Sequence, residues 1–401
     1  MPRKLSSLVA ALLMAATAHS TAAQTGAGSS AIDAFAKREM ATRNIPGMSV
    51  AVVKNGRLVL AKGYGLADLE NRVPATESTV YSIASVTKIF TAMAVMRLVE
   101  DGRVSLGDPV AKYFPELPEA WRAVTIRHLL SHTSGIPSYT DNTDSIPCKV
   151  GKPPSEYERG DAWKEVACLP LTHPTGTAWK YTETGFYLLG MLIEKVSGAR
   201  YGEFVGRSIL SPLGLTATRE IGYRELIPHR ATGHAFRRGK FYLAPRFQFD
   251  EFSLVSSVVD MARLHEAFTT ERILKRSSLD ELWTNARLND GRVVEHYGLG
   301  FALTPYKGRR RIGHNGGGGL GFAASIAHFP DENLTVVTLA NADQPQGTIG
   351  DLNNQIAEMF FNKSESARLY SSASLKFSWL VKTRSGPGVA GRPSNKIYDL
   401  N

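Results

Sequence analysis

The strand-like stretches of this 401-residue chain lie towards its two ends, and the part between them reads as helix and loop. Residues 48–53 and 58–64 are apolar runs joined through Lys54-Asn55-Gly56-Arg57. Asn-Gly between two such runs is the strongest short hairpin signal, because a type I′ turn needs positive φ at both central residues. Towards the other end, residues 310–314, 322–329 and 334–339 are strand-like, the last two separated by the turn Pro330-Asp331-Glu332-Asn333. Residues 297–301 are expected to begin one more strand. Helical patterns cover residues 29–43, 89–100, 125–130, 185–196, 204–210, 257–268 and 349–361. The economical architecture is α+β: one antiparallel sheet formed from both ends of the chain, flanking helices, and a mainly helical lobe inserted between. Residues 136–180 are rich in Pro, Gly and charge and read as a long loop over a binding site.

The termini read differently. Arg3 and Lys4 precede a mainly apolar stretch over residues 5–18, and Thr21-Ala22-Ala23 offers small residues for cleavage. Residues 1–23 are therefore expected to be a signal peptide, which places the mature protein in the periplasm or outside the cell. No later stretch reaches membrane-spanning length. Residues 24–362 form the expected domain, and residues 363–401 a basic, largely flexible tail. Export permits disulfides, and the chain has two cysteines, Cys148 and Cys168. A bond between them would close the proline-rich loop and contribute about 3 kcal/mol; the alternative is two unpaired thiols. Two cysteines alone make no thiolate zinc site, and neither a metal nor an organic cofactor is expected. The net charge of +10 favours anionic surroundings such as a cell-wall polymer or lipid head groups. Nucleic acid is not expected as a partner, since no compact basic motif with interleaved aromatics occurs.

Chemistry concentrates at Ser85-Val86-Thr87-Lys88, between the run Thr79-Val80-Tyr81-Ser82-Ile83 and a helix whose Ile89, Ala92, Met93 and Met96 share one face. Ser85 then sits at or near a helix N-terminus, with Lys88 one turn on. A serine hydroxyl needs a base, and a buried neutral lysine can be one. The plain alternative is a capping serine beside a solvated lysine. Two further stretches weigh against it. Tyr181-Thr182-Glu183 precedes a helix and offers a phenol for proton transfer. His314-Asn315-Gly316-Gly317 ends a strand, where glycines let a substrate lie along the edge and leave N–H groups to donate. A core aromatic and a surface histidine are the plain alternatives for these two. Residues 316–321 also satisfy Gly-x-Gly-x-x-Gly, but the run from Phe322 onward is strand-like, whereas a dinucleotide loop opens a helix.

Ser85-x-x-Lys88, Tyr181 and His314-x-Gly316, in this order, resemble the motifs of serine β-lactamase-related hydrolases. These include class C β-lactamases, D-alanyl-D-alanine carboxypeptidases, D-aminopeptidases and β-lactamase-fold esterases. Leu129-Leu130-Ser131-His132-Thr133-Ser134-Gly135, Tyr187-Leu188-Leu189-Gly190 and Tyr297-Gly298-Leu299-Gly300-Phe301 look like recurring segments of the same family, and the likeness covers roughly residues 30–362. The resemblance implies a β-lactamase/transpeptidase-like fold and hydrolysis of an ester, D-amino-acid peptide or β-lactam through an acyl-serine intermediate. It implies Ser85 as nucleophile, Lys88 as its base, and Tyr181 as proton donor to the leaving group. His314 would orient Tyr181 or meet a substrate carboxylate, and the amides of Ser85 and Gly317 would hold the oxyanion. Ser134 and His132 are expected to be a structural turn. Glu183 departs from the pattern, which has asparagine there. A carboxylate facing Lys88 favours its charged form; otherwise Glu183 turns away or pairs with a cationic substrate group. Efficient β-lactam turnover is not expected. The rival reading is a binding protein, for a ligand or the cell wall, that keeps the fold without catalysis.

Overall fold

The computed structural model describes residues 27–361 apart from 142–147, 149, 152–156, 158, 222–224, 245–251, 318–320 and 344–345. The expected signal peptide, residues 1–23, and the expected basic tail, residues 363–401, lie outside the described residues. From the N-terminus run α1 (Ala27–Arg43), β1 (Gly47–Lys54), β2 (Arg57–Asp68), β3 (Val73–Pro74), β4 (Tyr81–Ser82), α2 (Thr87–Glu100), α3 (Ile126–Leu130) and α4 (Glu183–Ser197). Then come α5 (Tyr201–Val205), α6 (Ser211–Leu213), β5 (Arg219–Glu220), β6 (His234–Arg237), β7 (Lys240–Leu243) and β8 (Leu254–Ser256). The chain closes with α7 (Val258–Thr269), α8 (Arg276–Leu282), β9 (Ile312–Gly316), β10 (Ala323–Phe329), β11 (Leu334–Ala340) and α9 (Gln346–Glu358).

The main sheet has six strands in the order β3-β2-β1-β11-β10-β9, each antiparallel to its neighbours. The two ends of the chain meet along β1 and β11, from Met48 opposite Ala340 to Lys54 opposite Leu334. The turn between β1 and β2 has φ of 51° at Asn55 and 71° at Gly56, as the Asn-Gly signal requires. Side chains alternate between the two faces. Met48, Val50, Val52, Val336 and Ala340 pack under Phe35 and Met40 of α1 and Leu352 and Ile356 of α9. Ala51, Val53, Ile326, Val337 and Leu339 join the larger core with α2, α4 and α7.

The α2 helix differs from its expected single apolar face. Thr87 to Met96 and Leu98 are all buried, because the sheet covers one side and the helical lobe the other. Its polar groups have partners: Thr87 Oγ1 accepts from the Leu254 amide at 3.2 Å, and Thr91 Oγ1 meets the Tyr201 hydroxyl at 2.9 Å. The expected strand over residues 297–301 is instead a tight turn. Gly300 has φ of 78°, and a Cβ on it would lie 2.5 Å from the Ala92 Cβ and 3.1 Å from the Lys88 carbonyl oxygen. The chain reverses there because it is pressed against α2. The expected helix over 204–210 is present and longer: α5 passes at Gly206 into a π-helical segment, Gly206–Leu210, and on into α6 without leaving helical backbone angles.

In the long loop, Cys148 and Cys168 form a disulfide with Cα atoms 5.6 Å apart. A 3₁₀ segment, Ala162–Val166, sets Trp163 edge-on to Trp121 at 5.8 Å. Among the described residues, no helix is long and apolar enough to cross a membrane.

Candidate active site

The chain leaves β4 through Ile83, whose amide donates to the Leu254 carbonyl at 3.1 Å. Ala84 then adopts φ of 45°, uncommon without a glycine, and opens a 3₁₀ turn that runs into α2. Ser85 stands on this turn. It is not a helix cap: Val86 holds that position, without a side-chain capping bond. The Ser85 Oγ instead lies 2.8 Å from the Tyr181 hydroxyl, 3.2 Å from Lys88 Nζ and 3.5 Å from Glu183 Oε1.

The start of α4 brings the second stretch to the serine. The Glu183 amide donates to Ser138 Oγ at 3.0 Å, and Thr184 Oγ1 donates to the Pro137 carbonyl at 2.7 Å. These bonds tie Tyr181 and Glu183 to the segment after α3. Strand β9 forms the other wall. A Cβ on Gly316 would stand 2.4 Å from the Ile83 carbonyl and 3.0 Å from the Ser85 amide nitrogen, so only glycine lets the strand pass this close to the turn. Gly317 follows at the end of that strand.

Charge at the site is arranged in one pair. Lys88 Nζ and Glu183 Oε2 are 2.5 Å apart, with 5% of the lysine side chain exposed and 28% of the glutamate. So Glu183 faces Lys88 and does not turn away. Burial raises the Glu183 carboxyl, but the Lys88 ammonium outweighs this and holds it below the ordinary carboxylate range. Burial, with the Glu183 charge behind it, pushes the Tyr181 phenol well above its usual value. Burial, then the Lys88 charge, pushes the His314 imidazole down to about 4.

His314 reaches Tyr181 mainly through other side chains. Its ring centroid is 6.3 Å from that of Tyr181, and its Nε2 meets the Tyr297 hydroxyl at 3.0 Å. The same hydroxyl lies 3.1 Å from His132 Nε2. One set of tautomers satisfies every bond. The Thr182 amide donates to His132 Nδ1 at 3.3 Å, so His132 carries its proton on Nε2 and donates to Tyr297. Tyr297 then donates to His314 Nε2, and His314 Nδ1–H donates to the Asn315 carbonyl at 2.5 Å. His314 is thus a neutral acceptor in a directional chain. Its side chain is buried among rings, which a position-by-position reading of the motif does not reveal.

Ser134 is the structural turn residue expected, its Oγ accepting from the Ile136 amide at 3.2 Å. His132 makes the turn, with φ of 57°, and does more: its ring lies 4.3 Å from that of Tyr181. His132 and Tyr297 are the neighbours that sequence reasoning passed over, although both stand in segments it had singled out. The element that follows Gly321 is β10, a strand and not the helix that a dinucleotide-binding loop opens. Among the described residues, no group of three or more His, Cys, Asp or Glu could hold a metal ion.

A serine, a lysine and a tyrosine meeting at the end of a buried helix, beside the edge of a sheet closed by both chain ends, define a β-lactamase-like site. The family model Beta-lactamase matches residues 32–358, and the chain belongs to that family. It is 28% identical over 320 residues to "Penicillin-binding protein 4*" of Bacillus subtilis (strain 168), covering 74% of this chain and 68% of that one. It is 34% identical over 209 residues to "Protein flp" of Staphylococcus aureus (strain COL), covering 51% of this chain and only 40% of the relative. Among solved structures, a D-stereospecific amidohydrolase from Streptomyces sp. is similar with a TM-score of 0.67 and 26% identity, over 80% of this chain and 98% of that one. These likenesses support serine hydrolase activity.

Proposed function

We propose that this protein is an exported serine hydrolase that cleaves small esters or amides, D-amino-acid derivatives among them, through an acyl-Ser85 intermediate. The observation that carries the reading is the convergence of Lys88 Nζ and the Tyr181 hydroxyl on Ser85 Oγ, at 3.2 and 2.8 Å. In this reading Ser85 attacks the carbonyl, Tyr181 protonates the leaving group, and the amides of Ser85 and Gly317 hold the oxyanion. A binding protein would have no use for all three side chains around one hydroxyl.

The electrostatics favour a substrate class. Lys88 is neutralised by Glu183, and His314 is kept neutral by burial and the nearby Lys88 charge. The pocket wall around Ser85 therefore has little positive charge to offer a substrate carboxylate. Esters and amides without a carboxylate beside the scissile bond come first, D-peptides with a free C-terminus next, and β-lactams last. Support for D-amino-acid derivatives comes from the Streptomyces amidohydrolase. Export is supported by the Cys148–Cys168 bond, which persists in an oxidising compartment. The net charge of +10 supports attraction of the mature protein to an anionic wall polymer.

The test is intact mass spectrometry of the protein recovered from the extracytoplasmic fraction, after exposure to a small fluorophosphonate. Wild type should gain one adduct, Ser85→Ala none, and the unlabelled mass should lack residues 1–23. A folded wild-type protein that stays unlabelled would turn the reading to a binding protein.

A further inference from the structure

The hydrogen bonds around Ser85 assign its proton. A hydroxyl has one proton and two lone pairs. The Tyr181 hydroxyl donates to Ser85 Oγ at 2.8 Å and Lys88 Nζ donates at 3.2 Å, which fills both lone pairs. The proton of Ser85 is left to point at Glu183 Oε1, 3.5 Å away. We propose that Glu183, and not Lys88, is the general base of this site, and that Lys88 serves as its ion-pair partner and as a donor to Ser85 Oγ. The assignment rests on the hydrolase reading above and deepens it.

The other groups in reach are poor acceptors. Lys88 is locked in its ion pair at 2.5 Å. His314 Nε2 already accepts from Tyr297. The Tyr181 phenol, buried beside a carboxylate, resists ionisation. Glu183 is the unprotonated group: Lys88 on α2, Tyr181 ahead of α4 and His314 on β9 face it, and the lysine charge keeps it anionic. The 3.5 Å separation is long for a hydrogen bond, as catalytic hydrogen bonds often are before substrate binds.

The steps balance. In acylation the Ser85 Oγ–carbonyl bond forms while the hydroxyl proton passes to Glu183. The intermediate collapses, the bond to the leaving group breaks, and Tyr181 gives that group its proton. Tyr181, which interacts with Glu183 directly, is reprotonated from it. In deacylation, water bonds to the acyl carbon and gives its proton to Glu183. The Ser85 Oγ–acyl bond then breaks, and the serine oxygen recovers the proton. Lys88 stabilises the negative charge on Oγ in both halves.

Fluorophosphonate labelling isolates the base, because fluoride leaves without a general acid and no natural substrate is needed. The rate of Ser85 adduct formation would be measured by intact mass from pH 4 to pH 10 in wild type, Glu183→Gln and Glu183→Asp. Wild type should be flat through neutral pH and fall only in acid, as a carboxylate base requires. Glu183→Gln should label at least about 100-fold more slowly at pH 7 and recover as the pH rises and hydroxide takes the place of the missing base. Glu183→Asp should keep the wild-type profile at a lower rate, which separates lost chemistry from lost folding. Equal labelling of wild type and Glu183→Gln at pH 7 would overturn the assignment to Glu183 and leave the hydrolase standing. So would a wild-type rate that climbs towards alkaline pH. No adduct in wild type would overturn the hydrolase reading itself.

Discussion

Two pairs of buried histidines share the face of the main sheet that packs on the helical lobe, and each pair is bridged by one hydroxyl. At the site, Tyr297 joins His132 to His314, at 3.1 and 3.0 Å. In the core, Thr335 of β11 joins His265 of α7 to His328 of β10, each through Nδ1 at 2.9 Å. The surroundings differ. The Tyr297 chain runs from the Thr182 amide to the Asn315 carbonyl and touches the ring of Tyr181 on the way. The Thr335 cluster is enclosed by aromatic rings, with Phe268 and Trp283 at 5.4 and 6.2 Å from His328. One device thus serves two ends. Where its termini reach the reacting groups it positions them, and where it lies away from them it only satisfies buried polar atoms.

Removing each bridge should separate these ends. Thr335→Val leaves buried imidazole nitrogens without a partner and should cost about 2 kcal/mol, since an unmade buried hydrogen bond carries the full desolvation penalty. Thermal and urea unfolding would show the loss, while the fluorophosphonate labelling rate of the folded protein stays as in wild type. A labelling rate that falls with it would mean that the core pair reaches the site. Tyr297→Phe should do the reverse in kind. It frees His132, which packs on Tyr181 and holds the Thr182 amide, so the phenol loses its fixed position over Ser85. The labelling rate should drop about 10-fold, equivalent to roughly 1.4 kcal/mol. An unchanged rate would reduce the Tyr297 chain to packing.

The sequence showed the chemistry better than its support. Ser85-x-x-Lys88 and Tyr181-x-Glu183 were each legible because such a motif is local, its spacing written in consecutive residues; their meeting joins positions 98 apart, from Ser85 to Glu183. The sheet closed by both ends was legible because alternating apolar runs and an Asn-Gly turn specify a hairpin without tertiary help. The β6–β7 hairpin was not, since its turn places Arg238 at φ of 51° before Gly239, a pair that carries no strong turn signal. Residues 297–301 misled in the same way: their apolar, strand-like composition is used to pack a turn on α2. The role of Tyr297 depends on a partner 165 residues away, His132, and on one 17 residues away, His314. No local pattern encodes that meeting.

Acid sharpens the comparison most finely. Burial lowers His314 to about 4 and His328 to about 3, against about 6.5 for an exposed imidazole in the unfolded chain. Both are neutral when folded at neutral pH. As the pH falls below about 6.5 the unfolded state takes up protons that the folded state refuses, so the unfolded state binds more and stability falls with pH. The loss begins near 6.5 and stops growing only once the folded histidines protonate, near 4 and near 3 respectively. At about pH 6 each such histidine accounts for about 1 kcal/mol of stability lost relative to alkaline pH. Glutamine keeps a donor and an acceptor and does not titrate. His328→Gln and His314→Gln should therefore flatten the decline of stability between pH 7 and pH 6 by the same small amount. Only His314→Gln should alter the labelling rate, because only that imidazole ends a chain that reaches Tyr181 and faces Glu183. Equal labelling in both variants would make the two histidine pairs equivalent and leave the position of Tyr181 to the loop after α3 alone.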